Sequence, residues 1–345
     1  MSSSNIYVTA HVFSCRWKSY YINTSTTEQV KNLNSIRTRL NLDFLSPAHV
    51  KREAIEAYMA YIAAEYPNTT TLVTAAANTF EGRPIRYLQI STTNFQNKSK
   101  PVIFIEGGMH AREWIAPSAV TFAIKKLTED ITETDLLHRF DWILMPVANP
   151  DGYYFTFRGK RLWRKNRSRK HPNDLFCPGV DGNRNFDIAW NSVGTSDEPC
   201  SPIYPGKRPF SEVETQVVRN VLMEHLPRIA MFLSIHSYGS LILHPWGHNS
   251  TCDPPSDYDA LNSVGFAIAD AFSEYGPPNF PPFVVGSTAE VLYICSGNSV
   301  DYAHHIGVPL AYTIELPGFS PKLFSIIKTN YIYFISHASV IKTTR

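Results

Sequence analysis

Short apolar runs rich in β-branched and aromatic residues punctuate the chain at Ile85–Ser91, Pro101–Glu106, Trp142–Ala148, Ile229–Ser237 and Val308–Leu316. Runs of this length, bounded by Gly, Pro or Asn, read as strands. Glu81-Gly82-Arg83-Pro84 reads as a turn leading into the first of them. Segments with helical spacing lie between. From Ser46, with Pro47 in the first turn, Val50, Ile55, Tyr58, Met59 and Ile62 fall on one face of a helix ending near Pro67. Ala116–Asp130 predicts a second, opened by Pro117, and Ser211-Glu212-Val213-Glu214 reads as a capping box opening a third that runs to about Leu226. A fourth is expected around Ala260–Tyr275, and Phe324–Lys342 predicts a closing amphipathic helix. Asn149-Pro150-Asp151-Gly152 reads as a turn, and from there to Pro209 regular pattern fades. Loops of that length in a compact domain are usually functional.

The 345 residues suffice for one large α/β domain or two ordinary ones, and one domain plus an N-terminal segment is the favoured division. With 32 Lys and Arg against 30 Asp and Glu, and basic residues interleaved with aromatics only around Arg158–Lys170, nucleic acid is not an expected partner. No apolar stretch approaches the 18 or so residues of a membrane span, so no membrane partner is expected. Residues 1–39 are polar, without the cationic and apolar regions of a signal peptide.

Candidate chemistry concentrates after the second apolar run. Gly107-Gly108-Met109-His110-Ala111-Arg112-Glu113 sets an imidazole and a carboxylate three residues apart where a strand turns towards a helix. Ligands in α/β sheets bind at such carboxyl ends of strands. A catalytic zinc site takes three protein ligands and leaves a position open, and His236, closing the Ile229 run, supplies a third. Glu315 ends the last apolar strand, where a carboxylate is costly unless used or paired. His244, His248, His304 and His305 fit no ligand pattern and read as structural or exposed. No G-x-S-x-G elbow of a serine hydrolase occurs.

Five segments in one order, H-A-R-E-W at His110–Trp114, L-W-R-K-N-R at Leu162–Arg167, D-G-N-R-N-F at Asp181–Phe186, S-I-H-S-Y at Ser234–Tyr238 and T-I-E-L at Thr313–Leu316, carry a resemblance. From about Leu42 to about Ile341 the chain resembles the zinc metallocarboxypeptidases of the pancreatic digestive A/B type, most closely the A branch. The resemblance implies a single α/β/α domain with a mixed central sheet of about eight strands flanked by helices, spanning residues 40–345. Residues 1–39 would then be a truncated propeptide remnant, cut at Arg37 or Arg39 by a trypsin-like protease, or equally a leader without structure.

Further implications concern function. One Zn2+ would be held by His110, Glu113 and His236, with Asp181 orienting His110. Glu315 would be the general base and Arg164 the oxyanion-stabilising arginine, and Asn183 and Arg184 would hold the substrate's terminal carboxylate. Tyr293 would close over it, and Arg112, Ser237 and Tyr238 would contact substrate. Val300 stands seven residues after Tyr293, where the branch that removes basic residues carries aspartate; with Thr288, Cys295 and Thr313 it implies an uncharged pocket for aliphatic or aromatic C-terminal residues. Cys177 and Cys200 match the family's disulfide, whereas Cys15, Cys252 and Cys295 have no scheme and read as buried small hydrophobes. A disulfide implies an oxidising, extracellular compartment, with which sequons at Asn23, Asn68, Asn97, Asn166 and Asn249 are compatible. A secreted monomer acting on peptide C-termini is the expectation. The rival is a zinc-containing binder of C-termini without catalysis, whose mark would be loss of Glu315 or Arg164; both are present.

Overall fold

A computed structural model describes residues 9–10, 50–131, 134–169, 176–249, 255–276, 280–318 and 338–339. Eight strands form one mixed sheet: β2 (Thr70–Thr74), β3 (Arg86–Ile90), β4 (Val102–Gly107), β5 (Asp141–Met145), β6 (Ile229–Ser237), β7 (Leu241–His244), β8 (Val284–Ser287) and β9 (Leu310–Leu316), in the order β2-β3-β5-β4-β6-β9-β7-β8. The four inner strands β5, β4, β6 and β9 run parallel, while β2, β3 and β7 join antiparallel to their inner neighbours. Parallel strands are covered on both faces, which is why β4 and β6 read as continuous apolar runs.

Alternation sorts each strand's side chains between two cores. Ile103 and Ile105 of β4 face a layer built from α1 (Arg52–Glu65), α2 (Ile115–Thr128), α3 (Thr134–Arg139) and α6 (Tyr258–Tyr275). Val102 and Phe104 face the opposite layer, with α5 (Val213–His225) and α8 (Ser299–His305). The expected architecture of a central mixed sheet between helical layers is therefore present. Two further elements are α4 (Pro150–Arg158) and the single-turn α7 (Thr288–Val291).

Several local expectations are corrected. Asn149–Gly152 opens α4 rather than a turn: Asn149 Oδ1 accepts from Gly152 N and Pro150 takes the first helical position, where its missing N–H costs nothing. The capping box does not form, because α5 begins at Val213 with Glu212 as N-cap, and the Glu214 carboxylate turns instead to Asn166. The first helix starts at Arg52 after Lys51; Ser46 and Pro47 lie outside the described residues. Within the expected closing helix only Ala338–Ser339 (β10) is described, paired antiparallel with Thr9–Ala10 (β1). Cys15, Cys252 and the cut at Arg37 or Arg39 also lie outside the described residues, as does the rest of segment 1–39.

Candidate metal centre

β4 ends at two glycines for steric reasons. A Cβ on Gly107 would stand 2.9 Å from Val120 Cγ2, and Gly108 has φ +70°, a conformation other residues adopt only with strain. The turn that follows lays His110 and Glu113 ahead of α2, linked by Glu113 N donating to His110 O at 3.2 Å. β6, the next strand of the sheet, delivers His236 to the same place. Among the described residues this trio is the single His/Cys/Asp/Glu group whose candidate ligand atoms all lie within 4.8 Å, and all three side chains are buried.

The hydrogen bonds around the trio bear on what it can hold. His110 Nε2 stands 3.0 Å from Asp181 Oδ1, an ionised acceptor, so this nitrogen carries the hydrogen. His236 Nε2 stands 3.0 Å from Ser234 Oγ, whose own hydrogen goes to Glu106 Oε2 at 2.7 Å, an arrangement in which the ring is the donor to Ser234. When both rings are neutral their Nδ1 atoms face each other at 3.0 Å without a hydrogen between them, and each Nδ1 is 2.9 Å from a Glu113 oxygen. Lone pairs so opposed need a cation or protons between them. Burial lowers the His236 pKa, but the Glu113 charge and hydrogen bond outweigh it and raise the value to about 9. The nitrogen and oxygen donor set fits zinc.

The Glu106–Ser234–His236 chain was not foreseen. Its signals were the single Glu ending the apolar P-V-I-F-I-E run and the Ser two residues before His236, which β-alternation puts on one side of the strand. Register places Glu106 opposite Ser234.

Further groups surround the trio. Arg164 donates through Nε and Nη2 to Asp181 Oδ2 at 3.0 and 2.9 Å, and its Nη1 lies 3.8 Å from Glu113 Oε1. Asp181 thus joins a histidine to an arginine; burial opposes its ionisation, but Arg164 and His110 hold its pKa well below the ordinary range. Glu315 pairs in register with His236 on the adjacent parallel strand, and burial followed by the Glu113 charge raises its pKa. Ser237 N donates to Glu113 Oε2 at 3.2 Å.

Asn183 and Arg184 sit in the 3₁₀ turn Gly182–Arg184, both buried. The Arg184 guanidinium gives Nε to Gly194 O and Nη1 to Asn183 O, lies 5.6 Å from the Tyr293 ring centroid, and pairs with no carboxylate among the described residues. Tyr293, Tyr238 and Arg112 are exposed at the surface. Val300 is fully buried in the layer that contains Phe186, Tyr302 and Ala303, and Thr288, Cys295 and Thr313 are buried as well. Cys295 is a free thiol, and Cys177 and Cys200 are joined in a disulfide.

Three of the four histidines set aside as ligands are engaged in contacts elsewhere. His244 contacts Pro245 O and Asn262, His248 contacts Asp301, His304 contacts Asp257, and His305 is exposed. Beneath the Arg164 loop lies an unforeseen buried pair of carboxylates. Asn166 Nδ2 donates to Glu212 Oε2 at 2.8 Å and to Glu214 Oε2 at 3.1 Å, while Asn166 Oδ1 accepts from Val180 N. Burial, then the neighbouring Glu212 charge, pushes Glu214 up to about 8.

A His–Glu–His group that could hold a cation at the carboxyl ends of parallel strands, flanked by a further carboxylate and a buried arginine, is the equipment of a metal-dependent hydrolase. The family model of the zinc carboxypeptidases (peptidase M14) matches residues 55–344. The chain is 46% identical to carboxypeptidase B of Helicoverpa zea over 373 residues, covering 88% of this chain and 86% of that one. It is 40% identical to carboxypeptidase B of Astacus astacus over 266 residues, covering 76% and 84%. Among solved structures, carboxypeptidase A of Helicoverpa armigera superimposes with a TM-score of 0.77 at 38% identity, covering 88% of this chain and 77% of that one. The chain belongs to the zinc carboxypeptidase family and is a peptide-bond hydrolase.

Proposed function

We propose that the protein is a one-zinc exopeptidase that removes aliphatic or aromatic residues from peptide C-termini, with His110, Glu113 and His236 as the metal ligands. The convergence of two imidazole Nδ1 atoms on the Glu113 carboxylate carries this reading. Zinc held by such a set supplies Lewis acidity towards a carbonyl and makes water acidic.

The remaining roles follow from which groups are already engaged. Glu113 faces both histidines, Asp181 serves His110 and Arg164, and Glu106 accepts from Ser234, so Glu315 is the carboxylate left to take a proton from water. A carboxyl raised by burial is a stronger base than an exposed one. Arg164, held rigidly by Asp181, presents charge beside the centre for the developing oxyanion. Arg184 is a buried cation without a carboxylate partner among the described residues, a state that a substrate's terminal carboxylate relieves, with Asn183 beside it and the Tyr293 ring centroid 5.6 Å from its guanidinium. Arg112, Ser237 and Tyr238 line the approach at the surface.

The preference for uncharged side chains rests on Val300, Thr288, Cys295 and Thr313, none of which offers a charge to a Lys or Arg entering a buried pocket. The disulfide supports secretion. Among the described residues no helix is long and apolar enough to cross a membrane. The deciding experiment is release of C-terminal amino acids from a peptide library with and without a chelator. Chelator-sensitive release of Phe and Leu is expected; no release, or release indifferent to chelator, overturns the proposal.

A further inference from the structure

The sequons at Asn68, Asn97 and Asn166 lie within the described residues, and the fold treats them differently. Asn166 is 3% exposed, and its Nδ2 gives its hydrogens to Glu212 Oε2 at 2.8 Å and Glu214 Oε2 at 3.1 Å. A sugar on that nitrogen would replace one of those hydrogens and would need room inside the loop that carries Arg164. Asn166 is therefore closed to modification in the folded protein.

Asn97 is the opposite case. Asn97, Lys98 and Ser99 are all exposed in the turn that precedes β4. Asn97 Oδ1 accepts from Ser99 N at 3.0 Å and from Ser99 Oγ at 2.7 Å, so the amide and the hydroxyl of the sequon already meet at the surface. Its Nδ2 donates to no described residue, and a sugar there costs no hydrogen bond. The turn itself is pinned, because Arg228 Nη1 and Lys100 N both donate to Asn97 O, at 2.7 and 3.2 Å. Asn68 is exposed as well, in the turn at 67–69 between α1 and β2, and its side chain hydrogen-bonds to no described residue.

Topology puts these two asparagines at one pole. β2 pairs antiparallel with β3, and β3 antiparallel with β5, so β2 runs in the same direction as β5 and β4. Asn68 precedes β2 and Asn97 precedes β4, hence both stand at the amino ends of these strands, whereas His110, Glu113 and His236 gather at the carboxyl ends of β4 and β6. β4 has six residues. At about 3.3 Å per residue its two ends lie roughly 20 Å apart.

We infer that the protein carries N-linked oligosaccharides on Asn68 and Asn97, at the pole of the sheet away from the metal centre, and none on Asn166. The donor is a lipid diphosphate-linked oligosaccharide of the secretory membrane. The asparagine Nδ2 attacks the anomeric carbon of its first sugar: an N–C bond forms and the bond from that carbon to the diphosphate oxygen breaks. The lipid diphosphate leaves with the electron pair, one Nδ2 proton is lost, and nothing is oxidised or reduced. The inference rests on the secreted reading given above, since this modification belongs to secreted chains.

The test uses the full chain secreted by eukaryotic cells behind a supplied leader. Peptide N-glycosidase in heavy-oxygen water converts each occupied Asn to a labelled Asp, and mass spectrometry of the peptides reads each position separately. Label at Asn68 and Asn97 and none at Asn166 is expected. Asn68→Gln and Asn97→Gln should each remove one step in electrophoretic mobility, and Ser99→Ala, which leaves Asn97 in place, should remove the same step as Asn97→Gln. Occupancy is read on the parent, so a variant that fails to fold does not cloud it. Enzymatic removal of the sugars from the folded parent should leave kcat/KM for peptide release unchanged, because they stand at the far ends of the strands. An unlabelled Asn68 or Asn97, or a labelled Asn166, overturns the inference, and a change in kcat/KM on removal overturns the placement. Free thiols at Cys177 and Cys200 in the same sample would instead remove the support for secretion, whatever the occupancy.

Discussion

Replacing Glu214 by Gln should change how stability depends on pH. Glu214 is 2% exposed; its Oε2 accepts from Asn166, and its Oε1 has no hydrogen-bond partner. With Glu212 on the same amide and its pKa near 8, Glu214 is protonated in the folded protein at neutral pH. The unfolded chain binds that proton with an ordinary carboxyl affinity near 4.5. Between those two values the folded state holds more protons than the unfolded state, so this group's contribution is complete below about pH 4.5 and is lost as pH rises through about 8. At about 1.4 kcal/mol per pH unit, the interval from pH 5 to pH 8 amounts to about 3 kcal/mol after partial titration at its ends. For a chain of this size that is roughly 4 °C in Tm. Gln keeps the shape of the neutral acid and cannot ionise. The assay is urea unfolding of parent and Glu214→Gln at pH 5, 6, 7 and 8 in one zinc-containing buffer, where metal effects common to both cancel. The difference in unfolding free energy should move by about 3 kcal/mol in favour of the variant as pH rises. Parallel pH profiles would mean that Glu214 ionises freely in the folded state and would refute the reasoning.

Other substitutions separate the roles proposed around the centre. His236→Ala removes one of three ligands and should abolish both stoichiometric zinc and peptidase activity; a variant that retains one zinc per chain by elemental analysis sinks the ligand assignment. Glu315→Gln should keep zinc and inhibitor binding but lower kcat by about 10²-fold or more, and near-normal turnover would make Glu315 structural. Val300→Asp puts a carboxylate into a fully buried apolar layer and should cost about 3 kcal/mol or more in stability. If Val300 also floors the side-chain pocket, kcat/KM for peptides ending in Lys should rise relative to Phe; an unaltered ranking shows that Val300 only packs.

The central strands and the three proposed ligands were legible because their signals are strong and local. Strands covered on both faces must be apolar throughout; His236 interrupts β6 near its carboxyl end, and His110 and Glu113 follow the glycines that end β4. Shorter elements were hidden by residues with two uses. Asn149-Pro150-Asp151-Gly152 has the composition of a turn, yet Asn also caps helices and Pro also starts them, and the side chain's acceptance from Gly152 N decides the matter. Ser211 and Glu214 have the spacing of a capping box, but Asn166, 48 residues away from Glu214, competes for the glutamate. α8 hides behind a loop-like S-G-N-S, although Asn298 Oδ1 accepts from Asp301 N as an N-cap. β7 is only four residues long and shows no period. The Glu106–Ser234 support of His236 depends on cross-strand register, which a single sequence does not display.

Asp181 gives one hydrogen-bonding oxygen to His110 and the other to Arg164. It is therefore a common origin from which the positions of a proposed metal ligand and of the proposed oxyanion-stabilising arginine are both measured. Because one carboxylate holds both groups, a displacement of Asp181 shifts the imidazole and the guanidinium at once. A carboxylate on a side chain one methylene longer would keep both bonds only by displacing both partners, so geometric tolerance at this position is narrower than at either residue it holds.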